Sequence, residues 1–414
     1  MLKVGLDAVI LGEGFYQQKS KTGVYRVIEN LSQQLMCHPD VQLHLASPAY
    51  LQDTLRHFQE SDFGKELFFL HSEKDLNIAK WQNFLFKIFN DSSIPQKVVR
   101  RLVFSLLGNK SVLSSPKINE IAIYHSLFYS FPDEILNNKK LKKILTVHDI
   151  IPIIHPEFFG KNVSGMLQKT ISAIPDDAFV ACVSESTKSD FCNYSGIDES
   201  RVFVQYLAAS PTIFYPENNV EKKRQVLLKY HIPVDQPYVL GLSTLEPRKN
   251  IQQLIRAFSH LVKTKKVDDL NLVLVGTKGW NYDDIFQQLA DSGLQNRVFI
   301  TGFVDDIDLS SIYSSAHCFV YLSHYEGFGL PVLEAMQCGV PVICSDNSSL
   351  PEVVGEAGIL VNASDLEQIV QAIYSVYSDF IICKAMKEKS LLRASHFSWS
   401  TFTNDTLQMY RGIL

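Results

Sequence analysis

The 414-residue sequence predicts an α/β protein built from two doubly wound, parallel-sheet domains that face each other across a cleft. Two observations lead to that class. Short apolar runs of strand type alternate with helical patterns along most of the chain, and such alternation folds into parallel sheets covered by helices. The chain is also long enough for two full cores, and a polar stretch with two prolines, AASPTIFYPENNVEKK at 208–223, divides the alternation. Ligands of such sheets bind beyond the carboxyl ends of the strands, which puts a site in the cleft between the domains.

In the first half, strands are expected near 2–6, 42–47 (QLHLAS), 121–124, 144–147 (ILTV), 179–183 (FVACV) and 201–207 (RVFVQYL). Helical patterns lie between them, for example GVYRVIENLSQQLM at 23–36. The second half repeats the theme with PYVLGLS (237–243), NLVLVG (271–276), RVFITG (297–302), CFVYLS (318–323), PVICS (341–345) and GILV (358–361). The expected organisation is an N-terminal Rossmann-like domain over 1–207, a linker over 208–223, a C-terminal Rossmann-like domain over 224–395 and a final helical segment over 396–414. No internal repeat or low-complexity tract interrupts it.

Hydrophobic residues make up 46% and charged residues 20%, ordinary values for a globular chain. The formal net charge of −5 argues against a general nucleic-acid binder. Seven cysteines are scattered without CxxC or metal-ligand spacing; Cys182, Cys318, Cys338 and Cys344 sit in apolar elements and read as small buried hydrophobes. A reducing, cytoplasmic setting fits. The start, MLKVGLDAVILGEG, is too short and too acidic for a signal peptide and reads as a first strand and its loop. No segment approaches the uninterrupted apolar length of a membrane span.

Residues 77–117 depart from the pattern, with seven Lys or Arg against a single acid, Asp91. Trp81, Phe84, Leu85, Ile88 and Phe89 form one helical apolar face, and Val98, Val99, Leu102, Val103 and Leu106 another. Two readings stay open. These faces pack on the N-terminal domain and leave a solvated basic surface, or the insertion rests on anionic lipid at the inner face of a membrane.

Two junctions carry chemistry. In HYEGFGLPVLEAMQCG (324–339), Gly327 and Gly329 allow a sharp turn and close approach to a ligand, Pro331 suits a first helical turn, and Gly339 fits the stop. Free N–H groups at that helix start, with its dipole, attract an anion such as phosphate. Glu334, about one turn in, can accept hydrogen bonds from ligand hydroxyls. In LGLSTLEPRKNIQQLIRAF (240–258), Arg248 and Lys249 suit phosphate oxygens, and Asn250 is expected to cap the following helix. DDIDLSS (305–311) superficially offers a metal-binding carboxylate pair; acidic residues at a helix start, with Asp308 as N-cap, explain it better. No GxGxxG follows a strand with an acid about twenty residues on, which argues against a dinucleotide-dependent oxidoreductase.

These junctions resemble the nucleotide-sugar-binding half of retaining glycosyltransferases of family 4, which have the two-domain GT-B fold. That family's Glu–seven residues–Glu signature stands here as Glu326, GFGLPVL and Glu334, and its PRKN mark as Pro247-Arg248-Lys249-Asn250. The likeness continues in SDNSSLPEVVGEAGILV (345–361) and HFSWSTFTNDTLQMY (396–410). It is looser at KTGVYRVIENL (21–31), AIYHSLFYSFP (122–132), LTVHDIIPIIHPEFF (145–159) and ACVSESTKSDF (181–191).

The resemblance implies transfer of a hexose or deoxyhexose from a nucleotide sugar, a substrate rather than a cofactor, to a saccharide acceptor that can be lipid-linked, in cell-surface polysaccharide or glycoconjugate assembly. GDP-mannose, UDP-glucose and dTDP-rhamnose all fit as donors, and no metal is expected. It implies that Arg248 and Lys249 hold the diphosphate with the backbone of Gly327, Phe328, Gly329 and Leu330. Glu334 would bind the ribose, Glu326 would face the sugar, and the backbone at Phe303 and Val304 would edge the base. His148 matches a histidine close to the transferred sugar, with Asp149 orienting it or capping the next turn. Gly23 would let the N-terminal domain approach the donor. The last helix would cross back to that domain. Ser243 stands where many members carry arginine, so that either Arg248 takes over the role or the phosphate contact is weaker than usual. His125 and Tyr129 are candidates for acceptor contact or for a packed aromatic cluster. On these roles, Glu326→Ala and Lys249→Ala abolish transfer with thermal unfolding nearly unchanged. The alternative is a non-catalytic GT-B-like scaffold that binds a nucleotide sugar.

Overall fold

In a computed structural model, described for all residues except 17–22, 62–65, 89–93, 109–110, 160, 278, 280–286, 288 and 292, two parallel sheets form. The first has seven strands in the order β3-β2-β1-β4-β5-β6-β7: β1 (Leu2–Asp7), β2 (Val41–Ala46), β3 (Phe68–Phe69), β4 (Ile123–Ser126), β5 (Lys142–Val147), β6 (Phe179–Cys182) and β7 (Val202–Val204). The second has six in the order β10-β9-β8-β11-β12-β13: β8 (Tyr238–Leu242), β9 (Asn271–Val275), β10 (Val298–Gly302), β11 (Cys318–Tyr321), β12 (Val342–Ser345) and β13 (Ile359–Val361). Each order reverses once, between β1 and β4 and between β8 and β11, and the crevices there open where strands end. The expected strands form with ends moved by a few residues. The two-residue edge strand β3 is too short to leave a periodic signal.

Helices on both faces explain the near-continuous apolar strands. Val4, Leu6, Ile123 and Ile144 in the first sheet and Leu240, Leu272, Phe319 and Ile343 in the second are essentially inaccessible. The helix Gly23–Cys37 buries Val27, Ile28, Leu31 and Leu35 at the expected spacing of about 3.6. No single helix among the described residues is long and apolar enough to cross a membrane. The four cysteines expected inside are buried.

In the 208–223 stretch Ala208, Ala209 and Phe214 are buried, and the helix Val220–Lys229 begins inside it. Two local expectations are corrected. Asp305, not Asp308, occupies the N-cap position of the helix Asp306–Ser315; Asp308 instead accepts from Lys229 Nζ at 2.7 Å and Tyr230 OH at 2.9 Å. Asn250 precedes its helix in a left-handed conformation (φ 54°) without a side-chain cap, because its amide donates to Ala363 O at 3.1 Å.

The basic insertion contains two helices, Glu73–Lys87 and Ile94–Leu107, and their orientation buries Val103, half-buries Leu85 and Val99, and leaves the rest of the described apolar faces outside. Trp81, Phe84, Ile88, Val98, Leu102 and Leu106 are exposed, while the buried side carries Gln82, Asn83, Gln96 and Arg100 beside apolar Phe86 and Val103. The reason is a buried ion pair. Arg100 Nη1 and Nη2 donate to both carboxylate oxygens of Asp53 at 2.8 and 2.6 Å, under the rings of Tyr16 and Phe86. Asn83 Nδ2 adds a bond to Gln52 O at 2.6 Å. Phe89, Asp91 and Lys110 of this segment lie outside the described residues.

Candidate functional site

A cavity of about 590 Å³ lies between the sheets, and every donor-side residue expected from the sequence lines it. From the second sheet come Ser243 after β8, Arg248 and Lys249 in the turn Pro247–Lys249, Phe303 and Val304 after β10, and the segment Glu326–Leu330 after β11. Glu334 follows one turn into the helix Leu330–Gln337. The first sheet contributes His148 and Asp149 just beyond β5, and Gly23 at the start of its helix. Lys21 and Thr22, before Gly23, lie outside the described residues.

The loop 326–330 owes its path to its glycines. Gly329 adopts φ +101°, where a side chain is strained, and a Cβ on Gly327 would collide with the backbone carbonyl of His148. The Gly327 carbonyl accepts from Ser184 Oγ at 2.7 Å and Thr187 Oγ1 at 3.0 Å, so the N-terminal domain holds the loop. Glu352 takes the backbone N–H groups of Glu185 and Ser186 at 2.8 and 2.7 Å, capping an N-terminal-domain helix from the other domain.

The cationic corner is compact. Glu326 accepts from Lys249 Nζ at 2.5 Å and pairs with Arg248 Nη1 at 3.0 Å; Tyr321 OH adds a bond at 2.8 Å. Arg248 also pairs with Glu246 at 3.0 Å and donates to Tyr325 O at 2.8 Å. Burial alone would raise the Glu326 carboxyl, but Lys249 and Arg248 more than offset it and hold it at about 2. Burial lowers the Lys249 ammonium, and Glu326 opposes that lowering. Two cations thus stand against two carboxylates with little water between them. Such an enclosed set contradicts the expectation that replacing Glu326 or Lys249 leaves unfolding unchanged. Among the described residues, Arg248 Nε and Ser243 Oγ are buried without a hydrogen-bond partner, and both residues line the cavity.

Glu334 lies one turn into the loop helix. Burial raises its carboxyl to about 7, against the opposing charge of Arg26 and the hydrogen bond of Tyr313. Arg26 Nη1 lies 3.3 Å from Glu334 Oε1, and its Nη2 donates to Asp306 Oδ1 at 2.7 Å. Arg26 belongs to the N-terminal domain and reaches across the cleft over the ring of Phe214. Asp305, Asp306 and Asp308 are therefore engaged by Lys229 or Arg26.

His148 is half-buried. Its Nε2 lies 2.9 Å from Leu127 O, and a carbonyl can only accept, so Nε2 carries the proton. Burial lowers the ring to about 4, the hydrogen bond to Leu127 opposing. At neutral pH the ring is uncharged, with Nδ1 as acceptor. Asp149 does not orient it; Asp149 Oδ1 accepts from Ile151 N at 3.0 Å and caps the turn.

Of the two readings of His125, the packed cluster is the one that forms, with its ring edge-to-face against Tyr410 at 5.8 Å. His125 is fully buried, bonded to Tyr410 OH and Thr146 Oγ1 at 2.8 Å each, and uncharged because burial lowers it to about 3. It joins the last helix to the first sheet and reaches no acceptor. Tyr129 donates to Glu13 at 3.1 Å and does not line the cavity. Sequence reasoning missed Arg26, Tyr313, Tyr321, Ser184 and Thr187. The arginine lies in the quoted KTGVYRVIENL, three residues after Gly23, and that proximity was the available signal.

Comparison with known proteins adds family and fold. The family model for glycosyl transferases group 1 matches residues 222–392. O-antigen chain mannosyltransferase B of Escherichia coli is 34% identical over 290 residues, covering 70% of this chain and 75% of that protein. The serotype-specific mannosyltransferase WbdA of Escherichia coli is 28% identical over 282 residues, 67% of this chain but only 34% of that longer protein. In structure, Anabaena HepE, solved in complex with UDP and glucose, superposes with a TM-score of 0.67 over the whole of both chains at 17% identity. The two facing sheets are the GT-B arrangement.

Proposed function

Because the chain belongs to the group 1 glycosyl transferases, we propose that its cleft transfers a hexose from a nucleotide sugar to a saccharide acceptor, with retention at the anomeric carbon. One observation carries the reading. Arg248, Lys249 and the start of the helix Leu330–Gln337 converge on a cavity that also holds unpartnered Arg248 Nε and Ser243 Oγ. Breaking a sugar–diphosphate bond develops negative charge on the departing phosphate. Fixed cations and backbone N–H groups stabilise that charge without reorganising, and removing one such donor typically costs roughly 3–4 kcal/mol of barrier. These cations make a metal unnecessary for neutralising the diphosphate. Ser243 Oγ and Arg248 Nε together fill the place of an arginine at the end of β8.

Glu334 accepts the ribose hydroxyls, and the backbone at Phe303 and Val304 meets the base. Glu326, held ionised, faces the sugar. Neutral His148 offers Nδ1 to a sugar hydroxyl; its low basicity argues against a charged role. The acceptor hydroxyl attacks on the face that the diphosphate leaves, and a phosphate oxygen helps to take its proton. The bridges from Arg26 and Glu352 across the cleft hold the domains together and limit hydrolysis. The mannosyltransferase relatives favour GDP-mannose ahead of UDP-glucose and dTDP-rhamnose, and an acceptor in cell-surface polysaccharide assembly, lipid-linked acceptors included.

The test is a thermal-shift screen over GDP-, UDP-, dTDP- and ADP-sugars, followed by transfer assays on the stabilising donor. A ligand that binds only the folded state at a hundred times its Kd adds about 2.7 kcal/mol. A stabilising donor, turnover in the native chain and none in a Lys249→Ala variant that circular dichroism shows to be folded at the assay temperature support the reading. No stabilisation by any nucleotide sugar, or unchanged turnover in Lys249→Ala, overturns it.

A further inference from the structure

The helices Glu73–Lys87 and Ile94–Leu107 carry apolar side chains on both sides: Leu76, Ala79, Phe86 and Val103 are buried against the domain, and a second set is left outside. A surface helix ordinarily buries its apolar stripe and shows its polar face to water. Here Trp81, Phe84 and Ile88 on one helix and Val98, Leu102 and Leu106 on the other face away from the domain, Phe84 at 67% and Leu106 at 82% exposure. The inward side is pinned by polar groups. Arg100 and Asp53 keep only 5% and 4% of their side chains accessible, and Asn83 bonds Gln52 O. Breaking a buried ion pair by turning Arg100 outward is costly, so the pair fixes which face meets solvent.

Charge selects the partner. Lys80, Lys87, Lys97 and Arg101 are exposed on the same two helices. Among the described residues, the acids near them are Glu73, paired with Lys117 at 2.9 Å, Asp75, which accepts from Ser72 Oγ at 2.8 Å, and Glu60, 3.9 Å from Lys87. Apolar side chains flanked by Lys and Arg match the boundary between acyl chains and anionic headgroups. Long basic side chains there bury their stems while their charged heads stay at the headgroups. We infer that this pair of helices docks the protein on an anionic phospholipid surface, with the apolar stripes entering the acyl boundary and the four cations at the headgroups. The docking would bring the cleft to lipid-linked saccharides, although it needs no nucleotide sugar and stands or falls apart from the transferase reading.

The experiment is vesicle flotation of the full chain without donor or acceptor. One set of vesicles is phosphatidylcholine alone, and the other contains phosphatidylglycerol. Two variants are compared with the native chain: Trp81→Ser, Phe84→Ser, Leu102→Ser and Leu106→Ser combined, and Lys80→Ser, Lys87→Ser, Lys97→Ser and Arg101→Ser combined. Each near-surface cation is worth roughly a five-fold change in partitioning at low salt. The native chain is expected to float with the anionic vesicles, far less with the neutral ones, and less as salt rises. The basic variant should lose binding at least ten-fold, and the apolar variant should lose it on both vesicle types. Circular dichroism and thermal unfolding check that each variant is folded, and either variant alone suffices. Absence of native-chain binding to anionic vesicles, or equal binding by a folded variant, overturns the proposal. So does sedimentation equilibrium that finds a dimer dissolved by the apolar variant while vesicles are ignored.

Discussion

Replacing Glu326 with Gln keeps the shape of the side chain and removes one charge from a corner where Arg248 and Lys249 face Glu246 and Glu326. Two cations then face one carboxylate in a site largely closed to water. The carboxyl is held at about 2 against an ordinary 4.5, and at 1.36 kcal/mol per pH unit that difference is roughly 3 kcal/mol. Removing one partner of a buried pair costs about 3–5 kcal/mol by general experience, which agrees. The sign follows from the depressed pKa: the stabilisation is fully present above pH 4.5 and disappears as pH falls toward 2. Glu326→Gln should therefore unfold at neutral pH roughly 6–12 °C below the native chain, at about 2–4 °C per kcal/mol. The gap should narrow on acidification below pH 4.5. A nucleoside diphosphate resupplies negative charge to the corner, so its stabilising effect should be larger in the variant. Differential scanning calorimetry with and without GDP and UDP reads both effects. A drop below about 2 °C at pH 7 would refute the burial of an ionised pair. A ligand effect no larger than in the native chain would refute placement of the diphosphate there.

Three further outcomes follow from neighbouring groups. Glu334 is raised to about 7 and accepts ribose hydroxyls more strongly when ionised, so nucleotide affinity by isothermal titration should rise with pH between about 6 and 8 and be flat in Glu334→Gln. Because its folded-state pKa is raised, ionising it costs the native chain stability as pH climbs from 4.5 through 7, and the Gln variant should be the more stable of the two at pH 8. Combining Ser184→Ala with Thr187→Val removes both donors to the Gly327 carbonyl; at about 1 kcal/mol per bond, kcat/KM for the donor should fall roughly 10- to 30-fold. Unchanged kcat/KM would show that the loop holds itself.

The two corners were legible because each is continuous in sequence. Strand, glycine or proline, and helix follow one another within about twenty residues at 240–258 and 318–339, and local punctuation suffices to recognise them. What was not legible came from packing between distant segments. Arg26 meets Glu334 from 308 positions away, and Ser184 meets Gly327 from 143, so no local pattern could join them. The insertion teaches a different lesson. Its apolar periodicity was plain, but periodicity identifies a face without saying whether that face is buried, and Asp53 decided the matter from another helix. His125 stayed open for a related reason: a histidine beside aromatic residues fits a ligand contact and a packed cluster equally until Tyr410 arrives from a distant helix.

That arrival has a consequence for the order of assembly. The helix Trp399–Ile413 packs on the helix Gly23–Cys37, and its Tyr410 and Thr406 bond His125 and Gln205 from 285 and 201 positions away. During synthesis the first lobe must wait, missing a wall, while the entire second lobe is made and folded. Contacts of such separation form late and slowly, leaving an open flank exposed in the meantime. Chains truncated before Trp399 should consequently jeopardise the lobe made first.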